Sequence, residues 1–202
     1  SSLDKINQGS DSDFPGSLQE FYDKINSCHK CQLGDARTKF VFGVGDPKAD
    51  LLLVGEAPGV DEDRLGEPFV GRAGKLLDKI LAAIHLNRTK GVYICNVLKC
   101  RPPNNRDPLP SEVDQCEPYL QHQIRLIKPQ LIVALGRVAG KTLLKQDIPL
   151  KAMREKIYHY EEIPLIVTYH PAALLRNSGF KAPTWKDFQW IQSILDGKTN
   201  IG

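Results

Sequence analysis

Four short runs of this chain are apolar almost without interruption: ADLLLVG at 49–55, VYICNV at 92–97, QLIVAL at 130–135 and IPLIVTY at 163–169. A strand with one wet face alternates polar and apolar residues. A run that does not alternate needs cover on both faces, which is the condition of a parallel sheet between helices. The intervening segments have helical character. From Gly71 to Leu86, residues Leu76, Leu77, Ile80, Leu81 and Ile84 share one face. Further helices are predicted over 111–128, opened by Ser111 with Asp114 three residues on, and over 136–145. Ser17-Leu-Gln-Glu20 is a capping box for a helix to Asn26, Thr184 caps a last helix to Leu195, and Lys156–Tyr160 reads as a short strand. The alternation predicts an α/β fold of three layers around a central, mainly parallel four-stranded sheet.

The chain has 202 residues, enough for one domain with a sizeable core. That domain is expected over 17–202, behind a disordered tail at 1–16 that lacks the pattern of a secretory signal. No apolar run approaches the ~20 residues that span a bilayer. The chain reads as a cytoplasmic monomer. Its net charge of +3 is too mild to name a partner, but Lys99, Arg101 and Arg106 cluster, as do Arg176, Lys181 and Lys186.

Five cysteines in such a chain argue for thiols and metal ligation over disulfides. Cys28-x-x-Cys31 can reach one metal centre from one turn, with Cys100 and Cys116 completing a four-thiolate set; the spacing admits an iron–sulfur cluster or zinc. Cys95 lies inside the second run and reads as a buried apolar thiol.

Open α/β sheets hold their sites at the carboxyl ends of strands. Three such ends carry distinctive residues: Gly55-Glu56-Ala57-Pro58-Gly59, then Asn96 ahead of Lys99-Cys100-Arg101-Pro102, then His170-Pro171 through Leu174, Leu175 and Arg176. Singly, each has an ordinary reading: a surface carboxylate, a loop-bonding amide, a structural imidazole. Gly136–Thr142 and Gly66–Gly71 invite a phosphate-loop reading. The first has three residues where that loop has four, and the second is followed by Arg72-Ala73 where Lys-Ser/Thr is needed. Gly43-Val-Gly45 lacks a third glycine and precedes its strand.

Taken together, Gly55-Glu-Ala-Pro-Gly59, Glu62-Asp63, Gly66-Glu-Pro-Phe-Val-Gly-Arg-Ala-Gly74, Asn96-Val-Leu-Lys-Cys-Arg-Pro102 and His170-Pro-Ala-Ala-Leu-Leu-Arg-Asn177 resemble the family 4 uracil-DNA glycosylases, the iron–sulfur branch of their superfamily. The resemblance runs from about Cys28 to Leu195. It implies hydrolysis of the N-glycosidic bond of uracil flipped out of DNA, leaving an abasic site. It implies that Gly55, Ala57, Glu62, Phe69 and Asn96 form the uracil pocket. Phe69 stacks on the base, Asn96 reads its edge, and Glu62 crowds C5 against thymine. His170 bonds O2, and Glu56 is the nearest carboxylate to the water. Leu174 or Leu175 is the wedge that fills the vacated stack, with Arg176 near a phosphate and Lys99, Arg101 and Arg106 on the DNA backbone. Cys28, Cys31, Cys100 and Cys116 hold a [4Fe–4S] cluster.

Glu56 separates the chain from family 5, which has an apolar residue there. Ala57, and the lack of a histidine between Arg101 and Asp107, separate it from the covalently trapping X-type enzymes. A metal-stapled nucleic-acid-binding module without catalysis is the competing class. It has no need of Glu56, Asn96 and His170 together.

Overall fold

A computed structural model describes residues 15–201. The tail expected at 1–16 lies outside the described residues except for Pro15 and Gly16. The backbone carbonyl of Pro15 is 3.0 Å from the His122 ring.

Among the described residues the sheet has six strands, not four. In chain order these are β1 (Val44–Gly45), β2 (Leu51–Gly55), β3 (Val92–Asn96), β4 (Leu131–Leu135), β5 (Tyr158–Tyr160) and β6 (Ile163–Thr168), in spatial order β1-β3-β2-β4-β6-β5. The four apolar runs are the parallel centre, β3-β2-β4-β6. The two additions are short antiparallel edges. Edge strand β1 is only two residues long, too short for periodicity to register. Strands β5 and β6 form a hairpin whose two loop residues, Glu161 and Glu162, both have positive φ (49° and 66°). That is the twist-matched two-residue turn, reached here without its usual Asn-Gly signal.

Strands β2, β3 and β4 bury every residue, and alternate side chains feed opposite cores. Leu52 and Val54 face Leu120, Ile124 and Ile127 of α5 (Pro110–Ile127), with Ala139 and Leu143 of α6 (Arg137–Leu144). Leu51 and Leu53 face Leu77, Leu81 and Ile84 of the α4 segment (Arg72–Ala83 and its cap), with Phe188, Ile191 and Ile194 of α9 (Lys181–Leu195). This is the three-layer sandwich that unalternating strands require. A third cluster packs Phe21 and Ile25 of α1 (Leu18–Ile25) on Phe40, Phe42 and Tyr119 beside the cysteines.

The capping box forms: Ser17 Oγ accepts from Glu20 N–H and donates to the Glu20 carboxylate. Two other helix starts differ from expectation. Helix α5 opens one residue early on Pro110, with Leu109 as its uncapped lead-in. Proline at the first helical position needs no N–H partner, so the helix starts without a side-chain cap. Helix α9 starts at Lys181, so Thr184 is inside it and donates its hydroxyl back to the Phe180 carbonyl at 2.7 Å. Four short helices were not anticipated: α2 (Leu33–Ala36), α3 (Val60–Leu65), α7 (Leu150–Met153) and α8 (Pro171–Arg176). None exceeds six residues, less than two helical turns, so none carries a readable period.

Candidate active site

Within the parallel centre the chain starts at β2, moves to β3 on one side, and returns past β2 to β4 and β6 on the other. Neighbouring loops therefore leave in opposite directions at the carboxyl ends of β2 and β4, where a doubly wound sheet opens a crevice. A cleft of about 730 Å³ lies there. Glu56 follows β2 into it, Asn96 ends β3, Leu135 and Gly136 end β4, and Tyr169 and His170 follow β6. Phe69, from the loop between α3 and α4, supplies a wall.

Asn96 is 2% exposed, and its amide nitrogen has no hydrogen-bond partner. A buried N–H left unpaired costs about 1–3 kcal/mol. In a cleft, that is the signature of a donor kept for a ligand's acceptor. Its neighbour across the sheet is Gly55, where a Cβ would lie 2.4 Å from Asn96 Oδ1 and 2.7 Å from the Phe69 ring. Glycine at 55 is what lets the Asn96 carboxamide and the Phe69 ring meet.

His170 caps α8. Its Nδ1 accepts from Ala172 N–H at 3.0 Å, so Nδ1 carries no proton and Nε2 holds the hydrogen of the neutral ring. Burial, followed by the nearby Arg176 charge, pushes its pKa down to about 4, with Glu62 opposing. The imidazole is therefore a neutral donor at physiological pH. It stacks on Phe69 with ring centroids 5.3 Å apart and 29° between planes. Glu56 is shifted the other way: burial, then the Asp107 charge, raises its carboxyl to about 7.

Phe69 sits at φ +53°, a left-handed conformation that an aromatic residue rarely adopts. Its loop is held on both sides. Glu62 Oε1 accepts from the N–H groups of Val70 (3.1 Å) and Gly71 (3.3 Å). Arg88 donates to the carbonyls of Pro68 (2.8 Å) and Phe69. Beyond the cleft, a buried Arg154–Asp187 pair with two contacts of 2.8 Å also receives the Thr168 hydroxyl. The Arg154 guanidinium lies over Tyr169, which stacks on Phe180 (4.4 Å, 15°). Arg88, Arg154, Asp187 and Asp107 were invisible to motif reading because each acts through a partner distant in sequence.

The structure corrects two sequence expectations. Lys99 is 0% exposed, so it cannot reach a phosphate. Its ammonium donates to the Asn96 carbonyl and to Gln123 Oε1, both at 2.7 Å. Leu174 is buried at 3%, packed by its helix register, whereas Leu175 is 42% exposed and is the residue available as a wedge. Arg101 bonds Asn105 at 2.7 Å, and Arg106 pairs with the buried Glu112 at 2.7 Å, so both brace their loop. Arg176 is exposed at the cleft rim.

Comparison with known proteins matches residues 42–192 to the family profile described as "Uracil DNA glycosylase superfamily". The chain belongs to this superfamily. It is similar to the type-4 uracil-DNA glycosylase of Archaeoglobus fulgidus, 45% identical over 190 residues and covering 90% of this chain and 95% of that one. It is also similar to the type-4 enzyme of Sulfurisphaera tokodaii, 42% identical over 186 residues, 88% of this chain and 84% of that one. A type-5 uracil-DNA glycosylase from Thermus thermophilus matches over half of this chain and 52% of its own, at 36% identity.

Cys28, Cys31, Cys100 and Cys116 line one small cavity. Hydrogen-bond donors surround the sulfurs: Tyr119 Oη at 3.2 Å and Lys30 N at 3.5 Å from Cys28, Arg37 Nη1 at 3.4 Å from Cys100, and Lys99 N at 3.3 Å from Cys116. Among the described residues, no group of three or more Cys, His, Asp or Glu side chains closes on a single ion. Cys95 is fully buried in β3, away from this set. Nor is any helix among them long and apolar enough to cross a membrane.

Proposed function

We propose that this chain excises uracil from DNA by hydrolysing the bond between C1′ and N1, with the cleft holding the flipped base. One observation carries the reading: a buried, unpartnered Asn96 amide faces a cleft walled by the Phe69–His170 stack. A carboxamide offers one donor and one acceptor, matching O4 and N3–H of uracil; cytosine presents the reverse. Phe69 takes the base face, a contact of the order of 1–3 kcal/mol. Glu62, bound to that loop and lining the cleft, keeps space at C5 short.

As the C1′–N1 bond breaks, its electron pair leaves with the base, and negative charge gathers on O2 and O4. The Nε2–H of His170, neutral because Nδ1 is committed to Ala172, points its hydrogen bond at O2. Because the bond strengthens as that charge develops, it lowers the barrier more than it stabilises the substrate. Glu56 orients the water and, when ionised, faces the cationic sugar. The water oxygen bonds C1′, its proton passes to bulk water, and uracil leaves as the anion. Leu175 fills the stack, and Arg176 holds a neighbouring phosphate.

The cofactor we assign to the thiol cavity is a [4Fe–4S] cluster, which takes one thiolate on each iron and so uses all four cysteines that line it. Cys28, Cys31, Cys100 and Cys116 would hold it. Fully ligated by thiolates, such a cluster offers structural linkage and no open coordination position.

The test is a duplex oligonucleotide with one uracil, incubated with the protein and then treated with alkali. Strand scission at the uracil is expected. An intact strand, with folded and iron-loaded protein, would overturn the assignment.

A further inference from the structure

Arg88 lies outside every motif considered above, and the structure gives it a specific task. It follows α4, at the turn whose Asn87 and Lys90 form an isolated bridge just before β3. Its Nε is fixed by Asp78 of α4 at 2.6 Å, and its Nη1 lies 3.6 Å from the Glu67 carboxylate. This orients the other end of the guanidinium, Nη1 and Nη2, onto the consecutive carbonyls of Pro68 and Phe69. The next two backbone N–H groups, Val70 and Gly71, are taken by Glu62. Four consecutive backbone groups are thus gripped by a cation on one side and an anion on the other.

Between the two grips Phe69 is held at φ +53°. For an aromatic residue this conformation is strained and persists only where surrounding contacts over-determine it. Released, the residue would relax to negative φ, and its ring would leave His170.

We propose that Arg88 is a positioning residue for uracil recognition: by fixing the two carbonyls it keeps the Phe69 ring in the plane that the base stacks on. This rests on the reading of Phe69 as the stacking wall. A planar fork with fixed donors suits adjacent carbonyls, which a lysine ammonium cannot grip in the same way.

The test is a double-mutant cycle on uracil excision, using Arg88→Met, Phe69→Ala and the pair, at a temperature where melting curves show all three folded. If Arg88 acts through Phe69, each single change lowers kcat/KM by about 10- to 100-fold. The double mutant then falls no more than about twofold below the weaker single mutant, because coupled sites are not additive. If the two factors multiply, Arg88 only supports the fold and the proposal is wrong. If Phe69→Ala excises uracil at the wild-type rate, the stacking reading itself fails, and the proposal with it, by a pattern distinct from multiplication. Should Arg88→Met not fold, Arg88→Lys, which keeps the charge beside Asp78, replaces it in the same cycle with the same two outcomes.

Discussion

At the scale of single residues, three protonation and pairing states set the chemistry. Asn96 has the unpaired donor, so Asn96→Ala removes that donor while leaving a slightly smaller buried side chain. Uracil excision is expected to fall at least about 100-fold, since deleting a partner of a polar substrate group costs a few kcal/mol in a site built for it. Circular dichroism should remain native, and an unchanged rate would take Asn96 out of recognition.

Glu56 and His170 give a pH signature. His170 titrates near 4, so its state is constant above about pH 5. Glu56 titrates near 7. If its anion serves the reaction, log kcat/KM should rise with unit slope below about pH 7 and level off above it, and Glu56→Gln should flatten the profile.

Stability runs the opposite way. The folded carboxyl holds its proton more tightly than the unfolded one. Its contribution is therefore full below about pH 4.5 and lost as pH rises through 7. His170 acts in the reverse sense: its penalty is absent above about pH 6.5 and grows as pH falls toward 4. At pH 8, Glu56→Gln is expected to stabilise the fold by about 1–2 kcal/mol, after discounting for the carboxyl's partial exposure. Thermal melting at pH 5 and pH 8 checks it: a gain at pH 8 that vanishes at pH 5 is the expected outcome.

At the scale of elements, the site depends on two close approaches. Helix α4 begins directly under the Phe69 loop, and a Cβ at Gly74 would lie 1.7 Å from the Phe69 carbonyl oxygen. Alanine normally favours a helix interior over glycine by up to about 1 kcal/mol. Here the clash with backbone outweighs that gain. Gly74→Ala should lower the melting temperature and excision together, and a stabilised active variant would contradict the packing. Helix α8 splits its leucines between core and solvent, so register alone selects Leu175 over Leu174. At its end, Arg176→Ala should weaken DNA binding across sequences and reduce the salt slope by about one, measured by titration at several salt concentrations.

The elements also show what sequence pattern can and cannot reveal. The apolar runs were legible because burial on two faces forces an unalternating composition over five or six residues. Helix α3, α8 and the edge strand β1 were not, because one or two turns, or a two-residue bridge, leave too few positions for a period. Lys99 was misread for a related reason. A lysine beside Arg101 and Pro102 looks exposed in sequence. It lies instead on the buried continuation of β3, its ammonium satisfied by Asn96 O and Gln123, residues that only the fold brings within reach.

At the scale of the whole molecule, one cavity gathers Cys28 and Cys31 of the N-terminal segment with Cys100 and Cys116 of the Pro/Arg loop and α5. Lys99 joins this region to Asn96, since its N–H faces Cys116 and its ammonium holds the Asn96 carbonyl. Cys100→Ala is therefore expected to lower the melting temperature by several degrees, at ~2–4 °C per kcal/mol for a domain of this size, and to weaken DNA binding. A variant that binds and melts normally but does not cleave would remove the bracing role.

The order of residues along the chain was enough to establish a doubly covered parallel sheet, a four-cysteine set and three chemically distinctive strand ends. Those depend on composition over short windows, which hydrophobic burial and ligand chemistry constrain locally. The crossing of the chain between β2 and β4, the left-handed Phe69 gripped by Glu62 and Arg88, and the choice of Leu175 over Leu174 belong to tertiary structure. Each depends on which distant groups pack against a residue, and no local window contains its partner.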